Sequence, residues 1–207
     1  MIDVLVRGGI VLSLLVLLGG CLPGSNQDPS RFYLLRSTSS AQPTFKDRKV
    51  SVGVGPVDLP QYLDRPQIVT QTAGNELSVS EFNRWAEPLT DNFTRVMANN
   101  VGLLLGTDQA FAFPWGGSTK IDYQVKVEVT RFIGQLGGES TLVARWSILG
   151  DKGRKVLLTR RSQLRASASD ARYDSLVMAM NQALTDLSRD VAKAIRSLKK
   201  KPSRKKK

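Results

Sequence analysis

The residue with the most distinctive chemistry is Cys21, the only cysteine among 207 residues. It follows a segment in which Arg7 precedes a largely apolar run of nine residues, 10–18, and then the pair Gly19-Gly20. A positive charge, a short apolar run and small residues before a cleavage point are typical of a secretory signal. Nine residues are too few to cross a bilayer, which takes about 20. We therefore predict that residues 1–20 are an export signal that is removed from the mature protein.

The position of Cys21 directly after two small residues indicates covalent attachment of lipid. The segment Leu18-Gly19-Gly20-Cys21 resembles a bacterial lipobox. In that motif the cysteine becomes the first mature residue, its sulfur carries a diacylglycerol, and its amino group is acylated. Each buried methylene contributes about 0.8 kcal/mol and two chains already anchor stably, so a three-chain anchor should hold permanently. The alternative is an ordinary secretory signal followed by a chance cysteine.

The chain contains no histidine, and this absence excludes several classes of enzyme. Ser-His-Asp and Cys-His hydrolysis both need a histidine base, and zinc sites built from His and Cys cannot form. The acidic residues form no recognisable pair for hydrolysis, and the glycines of segments 53–56 and 102–106 lack the pattern of a phosphate-binding loop. We therefore expect a protein that is not an enzyme and that needs no metal or cofactor.

The net charge of +12 is concentrated at the C terminus. Seven of the nine residues 199–207 are Lys or Arg, which leaves +5 for the rest of the chain. Such a run is usually a solvated, disordered end. The alternative is attraction to anionic lipid phosphates, at about 1 kcal/mol per charge near a surface. Nucleic acid is not expected as a partner, since no platform of interleaved aromatic residues accompanies the charge.

Apolar periodicity predicts how the rest of the chain is organised. We assign residues 21–30, which are rich in Pro, Gly and Asn, to a flexible tether, 31–198 to one domain, and 199–207 to the tail. Apolar positions at steps of three and four predict a helix from Pro88 to Gly106 and a second one over 172–198. The second repeat is also compatible with a coiled-coil partner. Strands are predicted at 31–36, 49–59, 68–72, 76–80, 110–114, 123–129, 142–149 and 156–166.

These elements predict a single domain of the α/β (α+β) class. Residues 68–80 form a hairpin around Gly74, and the last three strands form a meander. We expect one mixed sheet of about five to seven strands with two main helices packed on it.

Several segments resemble a single protein family. They follow the lipobox in the same order and cover most of residues 32–198. The family is that of the ABC-type transport auxiliary lipoproteins, the paraquat-inducible protein C (PqiC) group, and the basic tail is not part of its pattern. The matching segments are Gly53-Val54-Gly55-Pro56-Val57, Leu59-Pro60, residues 62–69 (YLDRPQIV), Phe82, residues 84–89 (RWAEPL), Asp122-Tyr123, Arg131-Phe132, Gly137-Gly138 and Ala144-Arg145-Trp146.

This resemblance implies a lipoprotein of the outer membrane that faces the periplasm and performs no chemistry. The implied partners are a mammalian-cell-entry (MCE) domain protein that bridges the envelope and an inner-membrane transporter component. Such a system moves lipids or maintains membrane integrity. Leu22 follows the lipid-bearing cysteine, where an aspartate would favour the inner membrane, and it therefore points to the outer one. A tubular partner would suit a ring of identical copies.

The segment 61–67 is the predicted partner surface. It is a loop between a proline-ended strand and a hairpin, and exposed Tyr and Arg are typical interface anchors. Alternatively, Asp64 and Arg65 pair with each other or with the backbone to hold the turn. Trp85 is a further candidate contact, although a tryptophan is more often a core residue. The candidate contact residues are Tyr62, Leu63, Asp64, Arg65 and Trp85.

Two other functions are compatible with the residues. A periplasmic lipid carrier or chaperone would need its own apolar pocket of roughly several hundred Å³. A hydrolase that uses a carboxylate pair would need two carboxyl groups about 5–9.5 Å apart in a cleft.

Overall fold

Eight strands and two helices make up the computed structural model of the chain, which describes residues 29–38, 50–72 and 74–200. The predicted export signal, Cys21, most of the tether and the tail from residue 201 lie outside the described residues. The helices are α1 (Leu89–Leu105) and α2 (Tyr173–Lys200). The strands are β1 (Arg31–Tyr33), β2 (Val52–Asp58), β3 (Gln67–Gln71), β4 (Leu77–Trp85), β5 (Ala110–Ala112), β6 (Tyr123–Gly134), β7 (Glu139–Gly150) and β8 (Lys155–Ser167).

The predicted α+β class with one mixed sheet and two helices is confirmed, but the sheet has eight strands rather than five to seven. Each of the eight strands falls on a segment that was predicted as a strand, so the segments were assigned more accurately than their total in the sheet. Strands β1 and β5 have only three residues each, and each pairs in parallel with a neighbour. The predicted hairpin is present as β3 and β4, and β6, β7 and β8 form the predicted meander.

Strand β6 is the centre of the sheet because three other strands pair with it. One edge pairs along its whole length with β7 in antiparallel fashion. The other edge is shared: β2 pairs in parallel up to Asp58 and Glu128, and β3 pairs where Thr70 meets Gly134. The chain between β2 and β3 therefore leaves the sheet beside residues 129–133 and forms the loop that contains the short 3-10 helix Gln61–Leu63.

Both helices lie together on one face of the sheet and bury their apolar residues there. Helix α1 begins after Pro88 and ends at Gly106, whose φ of 67° is left-handed and lets Thr107 donate to the Gly102 carbonyl at 3.0 Å. The rings of its Phe93 and of Phe132 in β6 pack edge to face, with their centroids 5.4 Å apart. The structure thus confirms the first predicted helix and its C-terminal cap.

Helix α2 uses its apolar repeat for the core of this same chain. Met180, Leu184, Leu187 and Val191 are all buried, which leaves none of them for a coiled-coil partner. The helix approaches the sheet so closely that a Cβ atom on Gly134 would lie 2.3 Å from Leu176 Cδ1. It continues to Lys200, two residues beyond the predicted domain boundary at 198.

The segment after β1 ties the N-terminal strand to both helices. The Asn92 side chain of α1 accepts a hydrogen bond from the Leu35 backbone at 2.6 Å and donates to the Leu35 carbonyl at 3.2 Å. Asn181 of α2 accepts from the Arg36 backbone at 2.9 Å, and Thr185 shares a hydrogen bond with Thr38 at 3.0 Å. We call these contacts the N-terminal clasp.

Candidate docking surface

The loop at residues 60–66 is held by its own backbone. Leu63 donates to the Pro60 carbonyl at 2.9 Å, and Asp64 donates to the Gln61 carbonyl at 3.0 Å. At the far end, the Trp85 backbone of β4 donates to the Pro66 carbonyl at 2.6 Å. The loop is therefore fixed at both ends without any help from its charged side chains.

The structure brings three of the five predicted contact residues to the surface and buries the other two. Leu63 and Trp85 are only 3% and 5% exposed, so their prediction as contacts is wrong. Both are large apolar side chains whose burial belongs to the hydrophobic core, and they anchor the loop and β4 from beneath. Asp64 and Arg65 are exposed, and neither forms an ion pair with any described residue. They are thus available to a partner, whereas the alternative in which they pair with each other is not realised.

Tyr62 covers the gap in the sheet between β2 and β3. The side chain is half-buried and packs against the core. Burial raises the pKa of its hydroxyl, while a hydrogen bond with the Phe132 backbone and the positive charge of Arg131 act in the opposite direction. The Tyr62 hydroxyl is therefore near Phe132 of β6 and within the electrostatic influence of Arg131.

A cationic sheet face adjoins the loop at Arg131. Alternate residues of strands β6, β7 and β8 point to opposite faces of the sheet. One set lies beneath the helices. The other set forms this second face, which no described helix covers. Arg145 and Arg161 lie directly opposite each other in register, and like charges so placed repel. Five basic residues share the face with two acidic ones. The charged residues are Lys126, Glu128, Arg131, Glu139, Arg145, Arg161 and Arg165.

The existing ion pairs on the cationic sheet face are weak. Arg145 lies 3.9 Å from Glu128, and Arg165 lies 3.7 Å from Glu139, with all four side chains more than half exposed. Such pairs contribute about 0–1 kcal/mol each. A shallow groove of about 420 Å³ crosses this face, and an anionic segment could enter it. Its lining includes Arg131, Thr141, Val143, Arg161, Gln163 and Arg165.

Residues 33–192 match the family of ABC-type transport auxiliary lipoprotein components. The chain belongs to this family. The family prediction made from the sequence segments is therefore confirmed, and with it the coarse assignment as a lipoprotein that assists an ABC transport system. No curated protein matches the sequence of this auxiliary lipoprotein.

Two solved structures share the fold of this auxiliary lipoprotein. Protein XCC0632 from Xanthomonas campestris, of the DUF330 family, is 18% identical with a TM-score of 0.67, covering 82% of this chain and 98% of the other. An uncharacterised protein is 22% identical with a TM-score of 0.65, covering 80% of this chain and 98% of the other. At these identities the similarity establishes the common architecture.

The described part of this auxiliary lipoprotein offers little to the competing functions. A concavity of about 760 Å³ is lined by Trp115, Ile121 and otherwise by glycine and polar residues of segments 115–124 and 151–153. Two carboxylates lie there. Asp122 accepts a hydrogen bond from the Ser51 backbone at 3.0 Å. A hydrogen bond from Arg154 lowers the pKa of Asp151, the opposite of what a general acid requires.

Two features are absent from the described residues. No cluster of three or more His, Cys, Asp or Glu residues that could hold a metal ion occurs among them. None of the helices that the structure describes is both long enough and apolar enough to traverse a bilayer.

The sequence reasoning missed the cationic sheet face, although a signal for it was present. Arg161, Gln163 and Arg165 occupy every second position of a predicted strand, so a common outward face could have been inferred. Arg131 belongs to one of the family segments, but nothing in the sequence marks it as a contact. Its place beside Tyr62 depends on the sheet order, which the sequence does not reveal.

Proposed function

We propose that this auxiliary lipoprotein is a non-catalytic docking component of an MCE-type lipid transport system. In this proposal it is anchored through Cys21 in the outer membrane, faces the periplasm, and receives an MCE-domain protein that bridges the envelope to an inner-membrane transporter. Family membership supports the transport role. Leu22 after the lipid-bearing cysteine supports the outer-membrane location.

One observation carries the docking role. The loop at residues 60–66 is fixed by backbone hydrogen bonds and by the buried Leu63 and Trp85, yet it presents Asp64 and Arg65 without ion-pair partners among the described residues. A rigid loop with exposed charged and aromatic side chains loses little conformational entropy when a partner binds. The adjoining cationic sheet face would extend the contact toward an acidic surface of that partner.

Crosslinking in intact cells tests this role directly. A photoreactive amino acid at position 62 or 65 should capture the envelope-spanning partner. The same amino acid at position 193, on the exposed side of α2, should not. Equal capture from position 193, or no envelope-spanning protein from either loop position, would contradict the proposal.

The lipid anchor needs a separate experiment. Mass spectrometry of the N-terminal peptide from membrane-extracted protein should show a triacylated Cys21, and Cys21→Ala should release the protein from membranes. An unmodified thiol in the native protein would exclude the anchor. The proposed ring of copies is tested by light scattering of the detergent-purified protein, where a monomer at high concentration argues against it.

A further inference from the structure

Four large apolar side chains are exposed at the end of the domain where the described chain begins. They are between 37% and 63% exposed, which is unusual for residues of this size. We call them the N-terminal patch, and its members are Phe32, Leu34, Phe82 and Met178.

Three separate elements carry members of the N-terminal patch, and strand register and a shared groove place these elements next to one another. Phe82 lines a groove of about 480 Å³ together with Pro29, the residue where the described chain begins. Phe32 pairs in register with Arg84, two residues along β4 from Phe82. Asp174, in the first turn of α2, lines the same groove, and Met178 follows it by one helical turn.

Basic residues accompany the N-terminal patch. Arg31 and Arg36 flank Phe32 and Leu34 in the chain, and both guanidinium groups are on exposed residues. Arg172 is also exposed and lines the groove, although it is paired with Asp170 at 2.9 Å. Exposed apolar side chains next to arginines are typical of a surface that lies in the headgroup region of an anionic membrane.

The length of chain before the patch limits what can cover it. Eleven residues separate Cys21 from Phe32, and they can span at most about 40 Å even when fully extended. Helix α2 has 28 residues and is therefore about 42 Å long. It starts beside the N-terminal patch and ends where Lys199 lies near Asp122 and Asp151. An anchor at Cys21 thus holds Phe32 within about 40 Å of the bilayer, which is less than the length of α2.

We propose that the N-terminal patch lies on the surface of the membrane to which Cys21 is attached. This inference rests on the lipid anchor of the proposed function. The apolar side chains enter the interface, and Arg31 and Arg36 face anionic headgroups. Helix α2 then runs away from the bilayer, so the basic tail that follows it begins far from the leaflet that holds the anchor.

Single introduced cysteines can test this orientation. Because acylation blocks Cys21, a new cysteine is the only free thiol of the mature protein. Phe32→Cys and Met178→Cys would be labelled with the fluorophore NBD. Phe113→Cys and Val156→Cys are matched controls, since Phe113 and Val156 are 48% and 59% exposed and lie outside the patch. The acylated proteins are reconstituted into vesicles of phosphatidylethanolamine and phosphatidylglycerol, with and without nitroxide-labelled lipid.

We expect nitroxide lipid to lower NBD emission at least about twofold at positions 32 and 178, and to leave positions 113 and 156 nearly unchanged. Equal quenching at all four positions, or none at 32 and 178, would overturn the inference. The inference would also be overturned if an NBD label at position 32 were already shielded from solvent in detergent because copies of the protein associate there. Acylation is verified by mass beforehand. An acylated protein that fails this test refutes the orientation alone, whereas an unacylated native protein refutes the proposed function.

Discussion

The N-terminal clasp should contribute strongly to stability, and Asn92→Ala is the change that tests it. Asn92 is buried, and its amide bonds both the N–H and the carbonyl of the buried Leu35. Truncation to alanine leaves these two backbone groups without their partner. Each buried polar group left unsatisfied costs about 1–3 kcal/mol. The better helix propensity of alanine returns about 0.5 kcal/mol.

We therefore expect Asn92→Ala to lower the free energy of unfolding by about 1.5–5.5 kcal/mol. For a domain of this size the thermal midpoint should fall by about 3–20 °C. Urea denaturation followed by circular dichroism measures the first quantity, and calorimetry measures the second. Hydrogen exchange adds a local readout, because the Leu35 amide loses its acceptor while the Arg36 amide keeps Asn181.

Asn99→Ala is the matched control, since Asn99 is an exposed asparagine of the same helix. It should change the free energy of unfolding by less than about 0.5 kcal/mol. If Asn92→Ala destabilised no more than this control, the hydrogen bonds of the clasp would contribute nothing net. Residues 34–38 would then not be held to α1 by these hydrogen bonds.

Three further predictions concern the core and the loop. Gly134→Ala should destabilise by about 1–3 kcal/mol because its Cβ would meet Leu176, whereas Gly117→Ala, with no atom within 4 Å, should be nearly neutral in urea denaturation. Trp85→Ala should cost about 3–5 kcal/mol as a core truncation, and a near-neutral result would contradict its burial. One tyrosine should ionise above pH 10 in an ultraviolet titration, because burial raises the Tyr62 pKa, and Tyr62→Phe should remove that step. Retention of the step in Tyr62→Phe would show that another tyrosine is responsible.

Local patterns were sufficient to predict most elements of the fold. The alternation of Val125, Val127 and Val129 with polar residues marks β6, and Gly106 marks the end of α1 because only a residue tolerant of positive φ suits that position. The repeat of α2 predicts a helix but not its partner. In the structure that partner is the apolar face of the sheet, which α2 covers.

Long-range pairing explains what the sequence could not predict. Strands β1 and β5 lie on predicted segments, but their parallel pairing with β4 and β2 is a long-range property that three residues do not reveal. The division of one β6 edge between β2 and β3 joins residues 64 to 71 positions apart, and it brings Tyr62 under the electrostatic influence of Arg131. Trp85 lies in a family segment and was predicted as a contact. Its position at the end of β4 instead directs its side chain into the hydrophobic core.

In the proposed arrangement, the same short segment carries both the load of the anchor and the contact with the membrane. A lipid attached at Cys21 pulls on the domain through Pro29 and β1, and β1 pairs with only three residues of β4. The clasp adds side-chain contacts from both helices within the next five residues, through Asn92 and through Asn181 and Thr185. A pull on β1 is therefore transmitted to the helices at the centre of the core rather than to a sheet edge that could peel away. This arrangement keeps Phe32 and Leu34 in place at the surface, since the residues that follow them are fixed from beneath.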